Sequence, residues 1–372
     1  MKTSLLSTLV VGALGINAVY GQEDQDIGEV GPSPSDIVSL WAEPFAEEGF
    51  AFGGASGVLA DTPERILVSQ RGETALPYPV PDYFKGFAGQ LGISVLGETE
   101  RRTWQNCIYI LDSNGKLKEI WEHLDYLCKG SAGPGPHRIR ISPYDPERRI
   151  WLVNETFNQI YVLANDGSEL LATYGEKGVG GSDESHFGRP QDVAFMPDGR
   201  ILVADGLDNN RVVVFDEDMN YLTEFGTAGE GPGGTNGIHA VGIGPEGRIF
   251  VLDRSGYGVN IWRAGKGETD FSFERRIDIS GMALDVIVNE NDFWMTAHSP
   301  LRFINFDFEG NQKYTWVVPL ELPDGFREVH SFSVDSGGIL YGGDNIYGRA
   351  QKWIPKPGTD PELLIEAPWF AQ

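Results

Sequence analysis

Cysteine is nearly absent from this sequence: Cys107 and Cys128 are the only two in 372 residues, too few for a disulfide framework and not spaced like a metal ribbon or a catalytic dithiol. Positive charge is also scarce. The chain has 54 acidic against 29 basic residues, a net charge of −25, and no run of Lys and Arg. Such a field repels phosphate backbones, so a nucleic-acid partner is not expected. Helical periodicity is almost missing, and no Ser/His/Asp order, phosphate-cradling glycine loop or haem motif is present. The one long apolar run, Leu5 to Ile16, is shorter than the ~20 residues of a membrane-spanning helix, so no membrane partner is expected either.

That run sits in "MKTSLLSTLVVGALGINAVYGQEDQ", which reads as a secretory signal of residues 1–21 cut before Gln22. The mature chain is therefore expected to be secreted or periplasmic, and monomeric. Export permits a disulfide, and a local Cys107–Cys128 staple is expected across "IYILDSNGKLKEIWEHLDYL". Residues 22–48 form an acidic lead-in that could supply a strand closing the fold.

Glycine and proline are abundant, 48 and 22, and short β-branched runs end in Asp-Gly or Asn-Gly turns, the pattern of strands joined by tight connections. The runs repeat. "RIWLVNETFNQIYVLANDGSELLATYG" from Arg149 and "RILVADGLDNNRVVVFDEDMNYLTEFG" from Arg200 align almost without gaps. Further copies begin at Arg248, Asp292 and Ile339, with a divergent one at Arg65. Successive second strands near Ile150, Ile201, Ile249, Phe293 and Ile339 lie 51, 48, 44 and 46 residues apart. Four-stranded units at that spacing cannot bury both faces alone, but radially packed neighbours bury them for one another. The expected fold is all-β, a six-bladed β-propeller with four-stranded blades over residues 49–358, followed by a tail at 359–372. Blade one is enlarged by an insertion, residues 77–106, whose length and aromatic content suit a rim or lid.

In such a ring the first strand of each blade lines the channel. Those strands are "SGVLA", "HRIRIS", "QDVAFM", "HAVGIG", "LDVIV" and "HSFSVD", so His137, His239 and His330 open blades two, four and six. Alternate blades place equivalent residues on a pseudo-threefold at one height, and three converging imidazoles with an open fourth position suit a catalytic zinc. Copper, iron or nickel would also accept three imidazoles. The remaining histidines, His123, His186 and His298, read as structural. Arg71 and Arg254 end the second strands of blades one and four, where guanidinium could grip a carboxylate through two parallel hydrogen bonds. A small anionic carboxylate is the expected partner. The sequon at Asn154 lies at a strand end near the channel and reads as coincidence.

Over roughly residues 55–355 the chain resembles the peptidyl-α-hydroxyglycine α-amidating lyases, propellers of the NHL-repeat type. The resemblance is carried by "GVGGSDESHFGRPQDVAFMPDGRILVADGLDNNRVVVF" and "HAVGIGPEGRIFVLDR". It implies that His137, His239 and His330 bind zinc and that Arg71 and Arg254 hold the substrate. It also implies cleavage of a carbinolamide C–N bond, giving glyoxylate and a peptide amide. Where the family has a tyrosine linked to proton transfer, this chain has Leu207. Where the family has an Asp binding a structural calcium, it has Ser331, which makes that second ion doubtful. Glu328 replaces a family Met, and Glu328 or Tyr257 could supply the missing proton-transfer group. An altered substrate is one consequence. A non-catalytic propeller binding a protein or glycan is the alternative.

Overall fold

Short apolar runs of five or six residues, buried throughout in middle strands such as Ile150–Asn154 and alternating only in outer ones such as Leu170–Tyr174, are broken by turn residues and give antiparallel strands rather than helices. The computed structural model describes residues 30–77, 89, 93–97, 99–131, 133–321 and 325–371. The expected signal peptide and part of the insertion lie outside the described residues. Among those described, no helix is long and apolar enough to cross a membrane.

Six four-stranded antiparallel sheets follow one another along the chain. Their inner strands are Ala55–Thr62, Pro136–Ile141, Pro190–Phe195, Ile238–Ile243, Met282–Val288 and Val329–Val334. Each packs against the next, and the last packs against the first, so the six form a closed ring around a channel. Closure is secured by the chain's N-terminal part. Ser35–Ile37 pairs with Arg349–Pro355 and supplies the outer strand of the sixth sheet.

The core lies between neighbouring sheets. Val153 and Ile160 of the second sheet meet Val193, Val203 and Val213 of the third; Phe250 of the fourth meets Phe293 of the fifth. Trp316 and Trp353, almost wholly buried, join the fifth and sixth sheets with Phe303 between them. Gly167 shows why the turns need glycine: its φ is +71°, and a Cβ there would stand 2.3 Å from the Trp121 ring.

The two ends of the insertion are tied down. Arg102–Thr103 pairs with Glu73–Ala75, which also pairs with Phe50–Phe52, in a small three-stranded sheet beside the first large one. The expected Cys107–Cys128 disulfide is not formed. Both residues are buried free thiols, and contact with the Cys128 thiol, followed by burial, pushes Cys107 well above its ordinary pKa. A polar clasp fastens this corner instead: the Asp125 carboxylate accepts the Asn106 and Cys107 amides, each at 2.8 Å.

The tail reaches the far end of the channel. Trp369 donates its indole N–H to the Ile243 carbonyl at 2.7 Å, and Pro368 and Phe370 line an apolar cavity of about 420 Å³ with Phe195, Val241 and Val288.

Candidate functional site

Near its start each inner strand slips its register against the second strand at one residue: Ser56, His137, Gln191, His239, Leu284 and His330; the first slips again at Asp61. A bulge leaves its extra residue out of the ladder and redirects it. Six equivalent bulges thus turn six residues toward the axis at one level. Even-numbered sheets place a histidine there. Odd-numbered sheets place Ser56, Gln191 and Leu284, whose carbonyls receive the histidines.

The pairing alternates around the ring. His137 Nδ1 meets the Gln191 carbonyl at 2.6 Å, His239 Nδ1 the Leu284 carbonyl at 2.6 Å, and His330 Nδ1 the Ser56 carbonyl at 2.7 Å. A carbonyl can only accept, so Nδ1 carries the hydrogen and each Nε2 keeps a lone pair. All three rings are buried. Burial is the leading cause that lowers their pKa values well below 6.5, helped by neighbouring histidines and Arg138, so the rings are neutral at pH 7.

The ligand nitrogens converge within 4.8 Å of one another, and His137 Nε2 is 3.3 Å from His239 Nε2. Nitrogens about 2.0–2.1 Å from a shared tetrahedral ion stand roughly 3.3 Å apart, so the His137–His239 pair has that spacing and the three histidines together could hold a metal ion. The carbonyl partners are the outer contacts that orient metal-binding imidazoles. No other such cluster occurs among the described residues.

The resemblance's second ion does not fit. Beneath the triad the fully buried Arg138 donates to the Ser56 carbonyl at 3.1 Å and the Leu284 carbonyl at 2.8 Å. Ser331 accepts the Val58 amide at 3.0 Å, and Arg140 joins Asp192 and Asp285 at 2.9 and 3.0 Å. Guanidinium groups occupy the polar axis where a structural calcium would need free oxygens.

Above the triad opens a polar cavity of about 310 Å³, lined by His137 and His330 with Arg71, Arg254, Glu155 and Asn345. Arg71, Glu155, Arg254 and Asn345 each follow directly on a second strand, so these equivalent positions form the wall. Arg71 is buried and donates to Glu155 at 3.1 Å; Arg189 donates to the other oxygen of Glu155 at 2.8 Å. The Arg254 side chain has no hydrogen-bond or ion-pair partner among the described residues, and its Nε is buried.

Glu328 is buried behind the lining and accepts a hydrogen bond at 3.0 Å from Asn345, a wall residue. Tyr257 is not in the cavity lining. It lies 45 % exposed on the turn after Arg254, at φ +58°, and its ring faces solvent. Leu207 packs beside Gly237. His123, His186 and His298 contact the Gly167 carbonyl, Asp183 and Ser299, and His298 also lies near Glu328. Asn154 has its amide buried against the Leu127 carbonyl at 3.1 Å, closed to a glycan.

Sequence reasoning missed Glu155, Arg189, Arg102 and Arg138. The first was detectable as the equivalent of Arg71 in the next repeat. Arg138 was hidden because its side chain runs along the channel from a strand whose neighbouring residue was already a candidate ligand. Leu96 and Arg102, from the described part of the insertion, reach the cavity wall. The stretches 78–88 and 90–92 lie outside the described residues.

The NHL repeat model matches residues 187–215. The Caenorhabditis elegans protein named "Probable peptidyl-alpha-hydroxyglycine alpha-amidating lyase" is 25% identical over 358 residues, covering 91% of this chain and 93% of that one. Peptidyl-glycine alpha-amidating monooxygenase B of Xenopus laevis is 25% identical over 86% of this chain, but the match spans only 37% of the frog protein. The chain thus carries an NHL-type repeat and is similar to the amidating lyases. Among solved structures, a streptogramin B lyase covers 87% of this chain with a TM-score of 0.50 and 11% identity. A luciferin-regenerating enzyme covers 90% with a TM-score of 0.51 and 9% identity. At such identities these two support the propeller-type fold alone.

Proposed function

We propose that this lyase-like chain is a secreted, six-bladed, zinc-dependent lyase that cleaves the C–N bond of an N-acyl α-hydroxyglycine, releasing glyoxylate and an amide. The observation that carries the reading is the neutral, Nδ1-anchored triad of His137, His239 and His330 opening into an arginine-walled cavity. Those histidines would hold the metal, which supplies Lewis acidity toward the substrate hydroxyl when bound.

The chain's own groups supply the rest. Arg254, with its donors unspent, grips the substrate carboxylate, and Arg71, fixed by Glu155, presents a second positive wall. In the net reaction the hydroxyl loses its proton, its oxygen forms the carbonyl of glyoxylate, and the C–N bonding pair leaves with nitrogen, which takes a proton. With Leu207 in place of a tyrosine and Tyr257 facing solvent, Glu328 is the buried carboxylate left to accept the hydroxyl proton and return it to nitrogen. Glu155, engaged by two arginines, is the poorer base.

The test is zinc analysis of the purified protein with glyoxylate release from benzoyl-α-hydroxyglycine. One zinc per chain and chelator-sensitive glyoxylate are expected. Metal without glyoxylate would overturn the lyase reading, and neither would favour a propeller that only binds a partner.

A further inference from the structure

The cavity holds more positive charge than one carboxylate requires. Four arginines line it, Arg71, Arg102, Arg189 and Arg254, in a chain where acidic residues outnumber basic ones nearly two to one. Arg71 and Arg189 share one carboxylate, that of Glu155. Arg254 has no ion-pair partner among the described residues. Arg102 has none either: it donates to two neutral carbonyls, Gly133 at 3.0 Å and Leu96 at 3.4 Å, and stacks over Trp104 at 5.1 Å. Its Nε is buried and unpartnered, like that of Arg71.

An acidic chain has ample carboxylates to neutralise its guanidinium groups, and Arg140, Arg211 and Arg276 each meet them, whereas the buried Arg302 spends its donors on Ser280 and the Pro300 carbonyl and lies outside this cavity's lining. Two unneutralised arginines in one cavity amount to room for two anionic groups. Desolvating a guanidinium is costly unless an anion meets it, and Arg102 is held in place by backbone and an indole rather than by charge. Burial, and after it the nearby Arg71, already lowers Arg102 to about 10, leaving it charged at pH 7.

We infer that the cavity selects a dianion: a ligand with one carboxylate for Arg254 and a second carboxylate, a short chain away, for Arg102. Resting on the proposed lyase reading, this makes the substrate an N-acyl α-hydroxyglycine whose acyl part carries its own carboxylate. Arg102 comes from the insertion, so the enlarged first sheet is the specificity element.

Calorimetric titration of the zinc-loaded full chain with two inert ligands decides the matter: N-succinylglycine, a dianion, and N-butanoylglycine, its monoanionic counterpart. The dianion is expected to bind at least about tenfold tighter, the worth of one charge-assisted hydrogen bond. Arg102→Gln should shrink that ratio to about threefold or less, and Arg102→Lys should keep part of it, with unchanged circular dichroism showing that both variants fold. Equal binding of the two ligands, or a ratio unmoved by Arg102→Gln, overturns the inference. Glyoxylate release is a separate readout. Turnover of benzoyl-α-hydroxyglycine without dianion preference sinks this inference alone, whereas dianion preference without glyoxylate from any α-hydroxyglycine sinks the lyase reading alone.

Discussion

Nε2 of His137 stands 3.3 Å from Nε2 of His239, and both rings commit their Nδ1 hydrogens to backbone carbonyls. Two lone pairs facing each other in a buried site repel unless a cation lies between them. Removing one ring therefore removes the site. His239→Ala should lose bound metal, at least about 10²-fold in affinity, by chromogenic chelator competition. A chelator should lower the unfolding temperature of the parent chain but not of the variant, since only the parent gains stability from the ion.

Acid should weaken the metal-free chain. The three imidazoles titrate well below 6.5 when folded, burial being the leading cause, and near 6.5 when unfolded. Between the folded and unfolded values the unfolded chain binds more protons, so stability falls as pH drops below 6.5. The slope reaches at most about 1.4 kcal/mol per pH unit per histidine. Urea unfolding of the chelated protein from pH 8 to pH 5 should show a flat region above 7 and a decline below 6.5. His330→Gln should flatten that decline.

The two wall arginines should separate under mutation. Arg254 makes no ion pair among the described residues, so Arg254→Ala should leave the unfolding temperature nearly unchanged while cutting kcat/KM about 10–100-fold. Arg71 is buried on Glu155, and removing it leaves that carboxylate to the half-exposed Arg189. Arg71→Ala should therefore destabilise the chain by about 3–5 kcal/mol, and Arg71→Ala with Glu155→Gln by less, because the uncompensated charge is gone. Chemical denaturation of the three variants checks the order.

Much of this was legible in the sequence because repeats expose themselves. The spacing of second strands located the sheets, and that periodicity turned three scattered histidines into one ring position. The cysteine pair was half legible: the two thiols do meet across that corner, but as free thiols and not as a disulfide. Tyr257 failed because closeness to Arg254 in sequence says nothing of direction, and at φ +58° its turn carries the ring outward. The bulges were invisible, since the slip arises from how two strands pair rather than from either alone. So was the role of Ser56, Gln191 and Leu284, which act through backbone carbonyls that every residue possesses.

Ring closure rests on three residues far from the site. Ser35, Asp36 and Ile37 pair with Pro355, Ile354 and Trp353, and Val38 donates its amide to the Lys352 carbonyl at 2.8 Å. A chain beginning at Trp41 keeps that core indole and loses the closing strand. It should unfold at least about 2 kcal/mol more easily in denaturant, the worth of a few backbone hydrogen bonds, and metal affinity should fall with it as the first and sixth sheets part. Added peptide spanning residues 30–40 should restore part of both.

Arg138 sets the last expectation, because its charge would oppose the ion proposed for the triad. Its guanidinium lies 3.0 Å from His330 Nδ1 and 3.4 Å from His239 Nδ1, fully buried, with Asp285 no nearer than 3.9 Å. A fixed positive charge so close to a divalent ion repels it, and the low local dielectric magnifies the effect. Methionine fills similar volume without charge, and the carbonyls of Ser56 and Leu284 keep their imidazole partners. Arg138→Met should therefore bind zinc at least about tenfold more tightly, roughly 1.4 kcal/mol, and change stability little once metal is removed. A chelator competition that instead shows weaker binding would mean that Arg138 serves the site by holding those carbonyls in place and not by its charge.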